Sequence, residues 1–211
     1  MDFNFDDEII LENERALIRP LLITDFESLL PVATADKTLL QFSPTPNYTP
    51  ELLDGYIQKA LEERKIKFRY PLLIFDKEKK LVAGSSSFAN VSNIDQRLEI
   101  GWTWIGRELQ QTGLNRNCKF LMLQFAFEKL NFVRVEFRID ERNTASRNAI
   151  EKIGGKLEGI LRSHILMPDG FRRSTCYYSL LKEEWPEIKE QLISSRHSKG
   201  DKYFTRESPR L

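Results

Sequence analysis

Residues 98–119, LEIGWTWIGRELQQTGLNRNCK, carry three signals in one order. An apolar, aromatic-rich run over 97–105 predicts a strand. A short polar connection follows and ends at Gly113. A helical pattern then starts at about Leu114 or Asn115. A strand that runs through a glycine turn into a helix start builds an anion site. The first-turn amides have no acceptor inside the helix, and the helix dipole places roughly half a positive charge there. A pyrophosphate suits such a site. Two well-known phosphate motifs do not apply. No Lys-Ser or Lys-Thr pair follows a glycine in this stretch, as a P-loop requires. Only Gly113 sits at the turn, where a dinucleotide fingerprint needs G-x-G-x-x-G.

The rest of the chain alternates short strands with amphipathic helices. Residues 15–20, RALIRP, predict a first strand that Pro20 ends at an edge. Thr24 or Asp25 is placed to cap a helix through Phe26, Leu29 and Leu30, and Thr49 to cap a second one with Pro50 at its first position. Leu52, Leu53, Tyr56, Ile57 and Ala60 give that second helix an apolar stripe. Residues 70–76 and 81–88, joined by Lys77-Glu78-Lys79-Lys80, predict a hairpin, with Ser85-Ser86-Ser87 weakening the far end of its second strand. A polar turn over 90–96 leads into the strand of residues 97–105.

After Gly113 the helix is expected to run to about Leu130, burying Cys118, Leu121, Met122, Phe125 and Ala126. Residues 133–140 alternate strictly. Val133, Val135, Phe137 and Ile139 mark one face; Arg134, Glu136, Arg138 and Asp140 mark the other. A short helix over about 144–153 stops at Gly154-Gly155, and two final strands, 157–165 and 172–181, close the pattern.

Bulk properties narrow the function classes. With 211 residues and 41% hydrophobic content, the chain suits one domain over 1–193 with a polar, basic tail over 194–211. Net charge is +1, from 32 basic and 31 acidic residues, so no nucleic-acid footprint is expected. No apolar run approaches the ~20 residues of a membrane span, and the acidic start MDFNFDDEII lacks the pattern of a signal peptide. Cys118 and Cys176 are far apart, which fits a reducing cytoplasm. His164 and His197 are the only histidines, too few for a zinc site or a Ser-His-Asp triad, so no metal is expected.

Gln110-Gln111-Thr112-Gly113-Leu114-Asn115 resembles the Q/R-x-x-G-x-G/A signature of the GCN5-related N-acetyltransferases, the GNAT superfamily. Asn115 departs from the usual Gly or Ala. Residues 143–154, NTASRNAIEKIG, are similar to the N-x-x-S-x-x-x-x-x-K-x-G segment of its RimJ/RimL branch, which acetylates amino termini of ribosomal proteins. The resemblance spans about residues 15–186. It implies an α+β fold, the GNAT-type acyl-CoA N-acyltransferase fold. Its mixed, mostly antiparallel central sheet is flanked by helices. The sheet is splayed in the middle, between the strand ending near Ile105 and the one starting at Val133. It also implies transfer of an acetyl group from acetyl-CoA to a primary amine, without a metal, by a monomer or homodimer.

The resemblance assigns candidate roles residue by residue. Gln110, Gln111, Thr112, Gly113, Leu114 and Asn115 would hold the pyrophosphate. Trp102, Thr103, Trp104 and Ile105 would pair with the pantetheine arm, and one of their amides would steady the oxyanion. Asn143 would touch the same arm while capping a helix, and Ser146 would serve the leaving thiolate. Glu99 is the general-base candidate, with a water chain as the other choice. His164 is a candidate for the acceptor site, and Arg116 and Lys119 for the phosphates. A non-catalytic acyl-CoA sensor or partner subunit on the same fold is the alternative function.

Overall fold

The computed structural model describes residues 1–194, so the tail expected over 194–211 lies, apart from Ser194, outside the described residues. Eight strands form one sheet: β1 (Leu11–Glu12), β2 (Ala16–Pro20), β3 (Arg69–Asp76), β4 (Leu81–Ser92), β5 (Arg97–Ile105), β6 (Arg134–Asp140), β7 (Lys156–Leu166) and β8 (Arg172–Leu181). Their spatial order is β1-β2-β3-β4-β5-β6-β8-β7. Helices α1 (Phe26–Thr34) and α2 (Pro50–Lys65) join β2 to β3, α3 (Leu114–Gln124) joins β5 to β6, α4 (Thr144–Glu151) follows β6, and α5 (Trp185–Ser194) follows β8. Every ladder is antiparallel except β5 with β6. A parallel pair needs a crossover, and α3 supplies it.

The two faces of the sheet hold separate cores. On one, Leu114, Cys118 and Met122 of α3 pack with Ile150 of α4 and Trp185 and Ile188 of α5 over Leu72, Leu98, Ile100, Val135 and Phe137. On the other, Leu29 and Ala33 of α1 and Leu53, Ile57 and Ala60 of α2 pack over Leu73 and Trp104. Each fully buried Leu, Ile or Phe contributes roughly 1.5–3 kcal/mol. Thr49 caps α2 as its sequence predicts, accepting from the Leu52 amide at 3.3 Å.

Several local expectations change. Ser85, Ser86 and Ser87 are fully buried and continue β4 without a break, because the hydroxyls of Ser85 and Ser86 find partners inside the sheet. β4 therefore runs to Ser92 and leaves a shorter turn. Val133 is 44% exposed and precedes β6 rather than joining its buried face. α3 ends at Gln124 and passes into a π-helical turn, Phe125–Lys129, with the Leu130 amide bonded back to the Phe125 carbonyl. β2 is covered by β1 only opposite Leu17 and Ile18, so Pro20 lies beyond that short neighbour, where its missing N–H costs nothing.

β5 pairs with β6 at three positions only, Arg97 with Arg134, Leu98 with Val135 and Glu99 with Glu136. Beyond Glu99 the strands part. The cause lies on the other side of β5. There Ser85 pairs with Trp104 and Ser87 with Gly101, so Trp102 and Thr103 together face the single residue Ser86. This β-bulge puts Trp102 at φ 49°, a left-handed conformation that a bulky side chain rarely takes. A bulge sharpens local twist and swings the end of β5 off the line of β6.

Gly84 keeps β4 close to that swung end. A Cβ there would lie 2.0 Å from the Trp104 carbonyl oxygen, at a backbone φ of +152°. Gly84→Ala is therefore expected to lower stability by about 2–3 kcal/mol through overpacking, read as a shifted urea midpoint at unchanged m-value.

Candidate active site

The wedge between β5 and β6 has a helix start at each upper corner: α3 follows β5, and α4 follows β6. At the first corner Gly113 adopts φ 86° and leads into α3. A Cβ disfavours this left-handed conformation, and glycine accepts it at no steric cost. The first intrahelical amide bond runs from Asn117 to the Gly113 carbonyl at 3.1 Å. The amides of Leu114 and Asn115 precede it and have no acceptor within the helix. Asn115, half-buried, enters the first turn without disturbing the helix.

The loop is held from three sides. Gln110 Nε2 donates to the Ile105 carbonyl at 2.9 Å. Thr112 Oγ1 donates to the Leu109 carbonyl at 2.8 Å. Arg15, buried and ion-paired with Asp76, reaches Thr112 Oγ1 at 3.4 Å. A loop pinned in this way presents its amides without reorganisation when a polyanion binds, which fits the pyrophosphate of an acyl-CoA.

Along the wedge, side-chain and backbone roles separate. Trp104 is buried against Tyr48 with ring centroids 5.3 Å apart, and Ile105 and Leu114 are core residues. These three can serve a ligand only through the backbone. The edge of β5 beyond Glu99 lacks a strand partner on the β6 side among the described residues, and an extended amide-bearing arm can pair there as a strand would. Trp102, 37% exposed, lies under the Arg69 guanidinium at 5.1 Å.

Thr103 has a partner the sequence does not announce. Lys119 of α3 is 5% exposed and donates from Nζ to Thr103 Oγ1 at 2.7 Å, and that hydroxyl lies 2.7 Å from Ser86 Oγ. Lys119 therefore sits under the bulge and not at the phosphate loop. Arg116, the other basic candidate for the phosphates, donates to the Leu192 carbonyl at 2.8 Å. The one sequence signal for Lys119 is its place inside the apolar run CKFLML.

At the second corner Asn143 caps α4, accepting from the Ser146 amide at 3.0 Å through Oδ1. Its side-chain amide donors stay out of the cap. Ser146 is half-buried, and among the described residues no hydrogen bond engages its hydroxyl. Cys118 is a core residue whose thiol burial pushes up to about 12, so no thiolate forms at this helix start.

Glu99 lies on the α1/α2 side of β5, since its neighbours Leu98 and Ile100 point into the other core. It is 5% exposed. A Cβ placed on Gly101 would be 2.8 Å from Glu99 Oε1, so the carboxylate rests against the backbone where the bulge begins. Asn90 Nδ2 donates to its Oε2 at 2.6 Å, and Arg138 Nε approaches the same oxygen at 3.0 Å. Burial nevertheless raises the carboxyl above the ordinary carboxylate range, against the pull of both partners. His164 is on the exposed edge strand β7, and its Nδ1 lies 3.1 Å from Thr175 Oγ1, beside Tyr177. Tyr177 stacks under Arg138, which links this edge to Glu99.

A model of the GNAT acetyltransferase domain matches residues 15–156. The chain belongs to the GNAT acetyltransferase family. Over 104 residues it is 33% identical to a Bacillus subtilis protein named "Putative ribosomal N-acetyltransferase YdaF", a match covering 49% of this chain and 56% of that relative. It is 24% identical over 176 residues to the uncharacterised N-acetyltransferase YnaD of the same organism, covering 83% of this chain and 98% of YnaD. A crystal structure of a GCN5-related N-acetyltransferase from Brucella melitensis superimposes with a TM-score of 0.84 at 22% identity, covering 90% of this chain and 86% of that one, and shows the common fold. The GNAT fold and the RimJ/RimL-like branch expected from the sequence are both supported. The splay falls between β5, which ends at Ile105, and β6, as the resemblance implies.

Gly113→Val tests the loop. A branched residue cannot take φ 86° without strain, so coenzyme A affinity by calorimetry is expected to fall about tenfold or more, ~1.4 kcal/mol, with the fold retained.

Proposed function

We propose that this protein transfers the acetyl group of acetyl-CoA to a primary amine by direct attack in a ternary complex. The observation that carries the reading is the wedge itself: a strand edge opened after three pairs, with a pinned helix start at its mouth. The residues at hand fit an acyl-CoA. First-turn amides from Leu114 and Asn115 suit a pyrophosphate, and the exposed edge of β5 suits the amide-bearing arm. Asn143 adds side-chain amide donors at the opposite corner.

The acceptor amine enters from the α1/α2 side, where Glu99 waits under Gly101. The nitrogen must be neutral to attack. Glu99, raised by burial, is a stronger base than an exposed carboxylate and accepts the proton directly or through a water. Amides of the bulged segment 102–105 steady the oxyanion. Ser146 offers its hydroxyl to the departing sulfur. His164 and Tyr177 border the approach of the acceptor. The acceptor class is an amine on a protein N-terminus or a small molecule. An α-amino group, with a pKa of about 7.7–8.0, asks less of the base than an alkylamine does. The similarity to a ribosomal-type relative favours the N-terminal class. One catalytic domain over 1–193, acting in the cytoplasm, completes the proposal. Thiol release from acetyl-CoA across peptides with free N-termini, polyamines and amino acids tests it; coenzyme A binding with no turnover on any amine would favour the sensor reading.

Two substitutions divide the roles. Glu99→Gln keeps the shape and removes the base, so kcat/KM is expected to drop about 10²-fold near neutral pH. The native enzyme loses activity as pH falls through the raised Glu99 value, because protonation removes the base. The Gln variant lacks that limb and recovers as the amine deprotonates on its own. An unchanged pH–rate profile would exclude Glu99. Ser146→Ala is expected to lower kcat more than it raises KM, since the thiolate develops only in the transition state. An unaltered kcat would leave Ser146 a first-turn helix residue.

A further inference from the structure

Lys119 is a buried cation without a counter-charge. Among the described residues no carboxylate pairs with it; its hydrogen-bond acceptor is the Thr103 hydroxyl at 2.7 Å. The ammonium reaches across the wedge, from Thr103 on β5 to the Phe137 ring on β6, 5.7 Å away. Leaving a charge in such a place costs several kcal/mol. A site of this kind is suited to an anion that exists only part of the time.

We propose that Lys119 stabilises the leaving group: its ammonium, aimed by Thr103, meets the coenzyme A sulfur under the bulge and holds the thiolate's charge as the thioester breaks. The inference rests on the reading of the wedge as the acyl-CoA site. The bonds balance as follows. The amine nitrogen forms its bond to the carbonyl carbon and releases a proton to Glu99 or water. The C–S bond then breaks, and its electron pair goes to sulfur. Lys119 Nζ–H donates a hydrogen bond to that sulfur and keeps its proton, and the thiolate takes a proton from solvent as coenzyme A leaves. The products are an amide and a free thiol.

The environment matches the task. Burial lowers the Lys119 ammonium to about 8, close to a thiol at about 8.5. The ammonium therefore stays charged near neutral pH, where it can face a developing thiolate in a site with little water. A serine hydroxyl carries no charge, so Ser146 can orient the sulfur but not neutralise it. The groups around Lys119 leave the ammonium to act alone. They are the Thr103 and Ser86 hydroxyls, the Phe137 ring, and Cys118, whose thiol stays protonated. The Arg15–Asp76 pair lies beyond Cys118 and is neutral as a unit.

The test needs no knowledge of the acceptor. Coenzyme A is bound to the full chain, and thiolate formation is followed by ultraviolet absorbance as pH rises. A cation in contact lowers an acid by ~1–3 pH units, so bound coenzyme A is expected to carry at least about tenfold more thiolate than free coenzyme A at the same pH. Lys119→Met should abolish that excess while the affinity for coenzyme A at about pH 6, where the sulfur is mostly a thiol, stays within about threefold. Lys119→Arg should keep the excess, since it keeps the charge. Identical thiolate titrations in the native and Met proteins would overturn the proposal, as would a Met variant that loses coenzyme A binding about tenfold, which makes Lys119 an affinity residue. Native protein that binds no coenzyme A overturns the wedge reading, and the inference with it. Removing an unpaired buried charge should hold or raise the melting temperature. Should the Met variant fail to fold, Thr103→Val must shift the same titration, because it removes the hydroxyl that aims the ammonium; no shift there overturns the proposal equally.

Discussion

The structure depends on one mismatch: two residues of β5, Trp102 and Thr103, set against one residue of β4. The sheet could otherwise close over β6 along the full length of both strands. The extra residue bends β5, ends the parallel ladder at Glu99 and exposes a strand edge in the middle of the molecule. An open edge is ordinarily a liability, because its unpaired amides and carbonyls recruit other strands. Here it faces the space between β5 and β6, where an extended arm can pair with it. The left-handed Trp102 is the local strain that this arrangement carries.

The bulge also sorts charge. Glu99 is buried on the α1/α2 face of β5, and Lys119 reaches Thr103 from the α3 face. The two charged groups therefore stand on opposite sides of one strand, each shifted toward neutrality by burial. A carboxylate raised by burial is suited to accept a proton on one side, and a buried ammonium to steady an anion on the other. The cost of holding both appears elsewhere in the fold. Arg138 and Asn90 are drawn to Glu99, and the buried serines of β4 line up behind the bulge.

Much of this was legible in the residues. The alternation through Val135, Phe137 and Ile139 marked β6, the charged turn Lys77–Lys80 marked the β3–β4 hairpin, and Thr49-Pro50 marked the start of α2. Gly113 announced its turn because glycine takes a left-handed conformation at no steric cost. These are properties of neighbours in the chain, and periodicity and steric preference report them directly. Ser85-Ser86-Ser87 misled for the same reason: three serines weaken a strand only if their hydroxyls lack partners, and those of Ser85 and Ser86 are supplied from β3 and β5.

Local pattern marked β2 to β8 and α1 to α4 in order, the Gly113 turn and the family resemblance, while the two-residue β1 carried no such signal. Where β5 leaves β6, that β8 lies between β6 and β7, and which side chains of the signature segment face the wedge came from long-range packing. Trp104, Ile105 and Leu114 turned inward and left only their backbone for a ligand, while Lys119, which reads as a surface charge near the phosphates, turned under the bulge. The physical reason is that a bulge is a difference in residue count between two strands, and the state of a buried charge is set by what stands opposite it. Neither is a property of any one stretch of chain.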